Sequence, residues 1–477
     1  MLVTTSRGGI SVLFGVLVAV LLVSLYTFPS VITLKSTVLG QQARQTLQSL
    51  HDGAKQYAGI SEHQGIPWVE QAPNIPSPNK VGDAGDRGLA APGVVSPLPF
   101  IDPRLDAYHE VRSRSTADGK YFEMDFSPYT AINPNMIPHP HEPDTWIMVA
   151  QRHKVGTRNA FWFTELVCDA IFQNGALKCK EIPSILPIAA TSSGHCDENL
   201  GYFTLNIGPH DARVFWGPDR PYAMFGSNSM HNCFGQHIQD FRMLVNWNEV
   251  PDLLAPFRFG TDLPRPPPYS QVEKNWFVFW DASGDMYLHY DVAPTRSFAR
   301  LNADSSVGED LAMASRPRDE ACFQQHGPVI DAAASESIHQ ATNSLAITMC
   351  NRMDGECQRT TENTYIMAIF HKKRHRHLHS TYEPYVMLFK QTAPFELHAI
   401  SSKPLWIHGR KKSGEIERLE AGETEMMYLT SINWRDNGTR YAGYLDDTIF
   451  VGFGIEDRRT AGIDVLAEDL LGDLGLC

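Results

Sequence analysis

From residue 101 to the C-terminus, short apolar runs are divided by Gly, Pro, Asn and Asp, and almost none is long enough for a helix. This rhythm constrains the fold more than any other feature. Thirteen runs read as strands: 146–150, 160–167, 202–205, 214–216, 223–225, 276–280, 286–290, 344–348, 365–370, 385–389, 427–429, 441–444 and 449–453. Many short strands at fairly even spacing imply a sandwich, a barrel or a propeller. Only 465–474 (VLAEDLLGDL) reads as a helical turn or two.

A loose recurrence narrows the choice. A polar corner, a strand, a Gly/Asp turn and a second, aromatic-rich strand repeat along the chain. The corners are Asn133-Pro134, Asp211-Ala212-Arg213, Glu273-Lys274-Asn275, His339-Gln340 and Thr430-Ser431. Five units of roughly 60–85 residues fill 101–477, and such repeats bury their faces against each other in a propeller. The expected fold is all-β, a five-bladed β-propeller whose polar corners converge on one end of the central channel.

The first hundred residues differ. Residues 10–28 (ISVLFGVLVAVLLVSLYTF) carry no charge, and a helix of this length crosses a hydrocarbon layer of about 30 Å. The run exceeds the roughly 7–15-residue core of a cleavable signal peptide and reads as an uncleaved signal anchor behind a cytoplasmic tail, 1–9. Residues 29–100 turn rich in Pro, Gly, Asn and Ser and read as a stem. All eight cysteines lie beyond the stem and none forms a CxxC pair. That suits disulfides in an oxidising compartment and disfavours a zinc ribbon. Cys168/Cys179 and Cys350/Cys357 are close enough in sequence to staple local hairpins or loops. The sequon Asn437-Gly438-Thr439 puts the C-terminal part on the same side. The expectation is a single-pass type II protein of the Golgi or another secretory-pathway membrane, with 101–477 in the lumen. The net charge of −13 repels phosphate backbones and disfavours nucleic acid as a partner.

Several residues could carry chemistry. Residues 208–225 (GPHDARVFWGPDRPYAMF) read as a hairpin with His210, Asp211 and Arg213 at its mouth. This is either a polar site on a β scaffold or a salt-bridged corner. A guanidinium fork at Arg213 suits phosphate as well as carboxylate. His289 and Asp291 end the strand 286–290. The adjacent Asp446 and Asp447 could bind hydroxyls, cap a turn or hold a divalent cation on a diphosphate. The run 371–379 (HKKRHRHLH) is the most basic in the chain and reads as a solvated loop. It could also bind a metal, or its Lys372 and Arg374 could attract a diphosphate. Trp146, Trp216, Trp276 and Trp406 read mostly as core and could otherwise stack on sugars.

The order of the motifs resembles the five-bladed β-propeller mannoside phosphorylases and their relatives, the propeller-type β-1,2-mannosyltransferases. The family's first-blade Asn-Pro corner is matched by Asn133-Pro134, and its second-blade Gly-x-Glu-Asp-Pro-Arg corner by Gly208 to Arg213. The third-blade Lys-Asn strand is matched by Lys274-Asn275, the His of its closing corner by His289, the fourth-blade segment by His371-Lys372, and the fifth-blade Tyr-Gly-x-x-Asp corner by 441–447. The likeness covers about 130–465. His210 and Ala212 stand where the family has Glu and Pro, and Tyr290 where it has Arg. The resemblance implies Asp211 as catalytic acid/base with Arg213 and His210 beside it. It implies Asn133, His289, Asp291, His339, His371, Lys372, Asp446 and Asp447 as substrate-binding. With a phosphate-holding Arg lost, the expected activity is transfer of mannose from a nucleotide sugar to a glycan acceptor. No cofactor is required beyond an optional divalent cation, and no protein metal ligand set is expected. A phosphorylase or glycoside hydrolase on the same scaffold, or a non-catalytic glycan-binding propeller, is the alternative.

Overall fold

A computed structural model describes residues 107–477 apart from 154–161, 193–194, 206, 248–253, 377–378, 417–418, 420–422 and 437. The signal anchor, the stem, Asn437 of the sequon and His377 lie outside the described residues. Among the described residues no helix is long and apolar enough to cross a membrane.

The strands form five blades. The chain enters through β1 (His109–Val111) and β2 (Phe122–Asp125). Blade one is β3 (Ala131–Pro138), β4 (Trp146–Arg152), β5 (Glu165–Gln173) and β6 (Ala176–Cys179), with β7 (Ser184–Ile185) on β5. Blade two is β8 (His210–Trp216), β9 (Pro221–Asn228), β10 (Phe234–Asp240) and β11 (Thr261–Asp262). Blade three is β12 (Phe277–Trp280), β13 (Met286–Asp291) and β14 (Ser297–Arg300), followed by helix α1 (Arg316–His326). Blade four pairs β15 (Glu336–Gln340) and β16 (Leu345–Thr348) in turn with β17 (Thr364–Arg376), then β18 (His379–Lys390) and β19 (Leu397–Ser401). β20 (Leu405–Ile407) returns to pair with β1. Blade five holds β21 (Met427–Trp434), whose successor β22 (Ala442–Tyr444) reaches over to β16, then β23 (Thr448–Ile455) and β24 (Arg459–Leu466). Helix α2 (Ala467–Leu470) and β25 (Leu474–Leu476), on the edge of β19, end the chain.

The ring is closed by its first strands. β2 supplies the outer strand of blade five, pairing Phe122 with Gly462, and its other end pairs Met124 with Leu177 of blade one. The core lies between blades, as a propeller requires. Phe122, Met136, Trp146 and Phe450 fill the seam between blades five and one, and Ile137, Val149, Val214 and Phe225 that between one and two. The innermost strands have unpaired inner edges, which a buried channel must satisfy. Buried asparagines do so: Asn135 Nδ2 donates to Ala212 O and its Oδ1 accepts from Val214 N–H, while Asn343 bonds both backbone groups of Ile432.

Four of the five predicted corners break the regular ladder, and the third carries left-handed backbone at Asn275. The ladder slips between Ile132 and Asn135, between His210 and Arg213, and between Leu429 and Ser431. In blade four the N–H groups of Ala341 and Thr342 both donate to Ile369 O. Asn133, Asp211 and Asn275 take left-handed backbone at φ 53°, 52° and 62°, which Asn and Asp tolerate best among side-chain-bearing residues. Bulges of this kind re-aim side chains beside functional sites.

All eight cysteines pair: Cys168–Cys179, Cys196–Cys233, Cys322–Cys477 and Cys350–Cys357. The two local staples are those expected. Three expectations change. Residues 202–205 belong to a 3-10 helix, Glu198–Leu205, because periodicity cannot separate strand from helix in so short a run. The run at 160–167 contributes only its end, since β5 starts at Glu165. The tail holds one helical turn, with β24 before it and β25 after. Helix α1 was not expected. Pro317 sits in its first turn, Asp319 binds Arg296 from it and Cys322 ties it to the C-terminus, but its residues form no apolar stripe.

Candidate active site

The innermost strands begin at one end of the channel, and the bulges turn their side chains toward that mouth. Asp211 stands at its centre. Its backbone N–H donates to Gln151 Oε1 at 2.9 Å, and its Oδ1 accepts from Asn133 Nδ2 at 2.6 Å. Both contacts orient the carboxylate without cancelling its charge. Behind it, Glu165 of β5 is wholly buried; its Oε1 accepts from Ala212 N–H at 3.2 Å and its Oε2 has no partner. Burial, and secondarily the charge of Asp211, push the Glu165 carboxyl up to about 8, so it is mostly protonated at neutral pH.

A further carboxyl comes from blade five. Glu456 and Asp457 turn the β23–β24 hairpin with φ 55° and 48°. Solvent reaches Asp457, yet desolvation by the protein around it, then the charges of Asp211 and Glu456, raise its carboxyl above the usual range. Asp211 and Asp457 therefore feel each other across the mouth in unequal surroundings.

Cations gather beside these acids. Arg213 is 5% exposed, and its Nε and Nη1 have no hydrogen-bond partner. The Asp211–Arg213 salt bridge that the sequence allowed does not form among the described residues. Lys373 is half-buried, and burial, then Lys274, lower its ammonium. The histidines around them are held neutral. Burial pushes His210 down to about 4, against the pull of Asp211, and its ring lies 3.8 Å from that of Phe163. Burial and Lys373 push His339 down to about 3. His371 lies well below its usual value through burial and then His339; its Nε2 accepts from Leu429 N–H at 3.3 Å and its Nδ1 is unpartnered. Tyr428 donates to Asn275 Oδ1 at 3.1 Å and stacks on His339; burial raises its phenol.

Of the residues expected at the site, Asn133, His210, Asp211, Arg213, His339 and His371 come together at this end. Lys372 does not. Neighbours on β17 face opposite sides, so Lys372 turns away to bind Glu336 at 2.9 Å while Lys373 shares the side of His371. His289 is a core histidine, bonded to Gln340 at 2.6 Å and Arg296 at 3.2 Å, and burial pushes it down to about 3. Asp291 binds Arg265 at 2.5 Å beside the mouth, between blades two and three. Asp446 and Asp447 lie at the opposite end, where the innermost strands finish. There Asp446 accepts the N–H groups of Arg352 and Met353, and Asp447 pairs with the Arg352 guanidinium. Of the run expected as a loop, residues 371–376 belong to β17 and His379 to β18. His375 bonds Ser380 and His379 bonds Thr424 O. Among the described residues no three His, Cys, Asp or Glu converge as a metal site. Trp146, Trp216, Trp276 and Trp406 are core.

Sequence reasoning missed Glu165, Asp457, Tyr428 and Lys373. Strand alternation applied to the basic run would have joined Lys373 to His371. Nothing local marks Glu165 or Tyr428, which reach the mouth from strands far away in the chain.

No family model matches the chain, and no curated protein matches it. Solved structures share its outline. A Bacteroides ovatus protein provisionally described as a glycoside hydrolase is 9% identical at TM-score 0.39, over 76% of this chain and 95% of that one. A GH62 α-L-arabinofuranosidase catalytic domain from Coprinopsis cinerea is 9% identical at TM-score 0.36, over 73% and 97%. An exo-1,5-α-L-arabinanase from a bovine ruminal metagenome is 10% identical at TM-score 0.33, over 71% and 94%. Likenesses this distant carry nothing about the reaction.

Proposed function

We propose that this domain cleaves a glycosidic bond at the channel mouth, by water or by phosphate, with Asp211 as a proton-handling carboxylate. The observation that carries the reading is the setting of Asp211: a carboxylate on a left-handed bulge, its backbone held by Gln151 and its carboxylate by Asn133, in no salt bridge among the described residues, and near enough to Asp457 to raise it. Glycosidic cleavage passes through an oxocarbenium-like state and needs one carboxyl to give a proton while another activates the attacking group. A carboxyl raised by its surroundings, set near a second carboxylate, meets that need. Asp457, raised, suits the donor, and Asp211 the group that activates the nucleophile. The substrate class, mannosides, rests on the corner motifs around Asn133, Asp211 and Lys274.

Transfer from a nucleotide sugar, the activity expected from the sequence, is the second reading. It is favoured by Arg213, Lys274 and Lys373, which converge without carboxylate partners and suit a phosphate-bearing donor. With 10–28 as a signal anchor, either reaction would run on the luminal side of a secretory membrane, a setting that suits four disulfides.

One incubation separates the readings. The purified domain is given manno-oligosaccharides with and without phosphate, and separately nucleotide sugars with glycan acceptors. Free sugar without phosphate supports hydrolysis, sugar 1-phosphate supports phosphorolysis, and released nucleotide with an extended acceptor supports transfer. Wild-type activity in Asp211→Asn would sink all three.

A further inference from the structure

A second cavity opens beside the mouth, between blades two and three. Its volume is about 240 Å³, and its walls include His231, Asn232, Arg265, Tyr269, Glu273 and Trp276. Glu273 immediately precedes Lys274 and Asn275 of the third corner, so the cavity adjoins the mouth through three consecutive residues. None of the chemistry assigned to Asp211 uses it.

Its walls are built and charge-balanced. Arg265 donates to Glu273 at 3.1 Å and Asp291 at 2.5 Å, with its guanidinium over the Tyr290 ring at 4.9 Å. Glu273 also accepts the Ser270 N–H at 2.6 Å. One cation faces two carboxylates, so an anionic ligand such as a phosphate is disfavoured. The walls are also not purely apolar. Trp276 closes the back of the wall at 1% exposed. An apolar occupant would take the lining Arg265 and Glu273 side chains out of water without replacing the hydrogen bonds that water gives them. A hydroxyl-rich occupant supplies acceptors. Tyr269, 56% exposed, offers an aromatic face at the rim. The volume falls below the roughly 300–1,000 Å³ of sites for larger ligands and suits one ring rather than a chain of rings.

We infer that this cavity is a sugar-binding subsite that takes one neutral pyranose unit, gripped by the Tyr269 ring and the Arg265–Glu273 pair. It rests on the glycan-acting reading of the neighbouring mouth only for its partner: the bound unit belongs to the same oligosaccharide. Asp291, expected from the sequence to bind substrate, then acts by positioning Arg265.

The test is binding, which needs no turnover. Manno-oligosaccharides of two to five units are titrated calorimetrically into the wild-type domain, Asp211→Asn, Tyr269→Ala and Glu273→Gln. Tyr269 is exposed, so its removal should leave the melting temperature unchanged. The expected result is an affinity gain on lengthening the ligand that survives in Asp211→Asn but falls about tenfold in Tyr269→Ala. Glu273→Gln should weaken it as well. Equal affinity of Tyr269→Ala and wild type for every length overturns the subsite. If the mouth is inactive on all substrates but the Tyr269-dependent binding persists, the catalytic reading fails and the subsite stands.

Discussion

The two ends of the propeller hold the same kinds of side chain in opposite states. At the far end Arg352 is bidentate on Asp447, with Nε at 3.0 Å and Nη2 at 2.5 Å. Asp447 also accepts the Tyr444 N–H, and Asp446 takes the N–H groups of Arg352 and Met353. Among the described residues, none of these groups is left as a buried orphan. At the mouth, Arg213 leaves two nitrogens unmatched, Glu165 holds a proton it would shed in water, and Asp211 and Asp457 face each other. Matched groups stabilise a fold. Unmatched buried ones cost about 1–3 kcal/mol each and tend to persist where function requires them. An aspartate beside an arginine is thus paired at one end and, under the proposed function, left for a ligand at the other.

The largest contrast should come from Asp211→Asn. Turnover should fall by about 10²–10⁴-fold, the usual contribution of a positioned acid or base, with little change in melting temperature. Asp447→Asn should leave turnover intact; comparable losses in both would erase the contrast. Next, Arg213→Met keeps the aliphatic stem and removes the orphan donors. The expected outcome is unchanged or slightly higher stability in urea with about a tenfold loss in kcat/KM, the size of one lost charged contact. Loss of stability in place of activity would make Arg213 structural. At the far end, Asp447→Ala should cost about 1 kcal/mol in urea titration, since its partner Arg352 is half exposed.

The last effect is a pH dependence. Unfolded, Glu165 loses its proton near 4.5; folded, near 8. Between these values the fold holds the extra proton, so this group lowers stability as pH rises through the window. His210 and His339 act the other way. The unfolded chain binds protons below 6.5 that the fold refuses, so their contribution rises toward 6.5 and then levels off. Stability should peak near 6.5 and decline toward 8. Glu165→Gln keeps an acceptor for Ala212 N–H and should remove the decline above 6.5 while steepening the rise below it, as followed by urea unfolding across pH. A decline that persists in the variant would assign it to another group.

Local turn chemistry made the five corners readable. Asn133, Asp211 and Asn275 occupy left-handed positions where few other side chains are comfortable, so the bulges announce themselves in the sequence. Ring closure is not local: β2 pairs with β24 across more than three hundred residues, and FEMD reads like any short strand. Asp446-Asp447 misled for a related reason. Two adjacent carboxylates look alike whether they bind a ligand or hold Arg352, and the deciding partner lies in another blade. The basic run at 371–379 reads as a loop from its charge, yet pairing with β18 makes residues 371–376 strand, and alternation then sends Lys372 to Glu336 and Lys373 to the mouth. Half the site is thus written in its own corners, and the rest is supplied by strands that meet only on folding.

The most direct measurement is turnover of manno-oligosaccharide by the purified domain and by Asp211→Asn, with products identified and melting curves superimposed. An active wild type and a variant at least a hundredfold slower, with both melting alike, is the expected result. A variant that melts like the wild type and cleaves at the wild-type rate would contradict the assignment of the mouth as the site of chemistry.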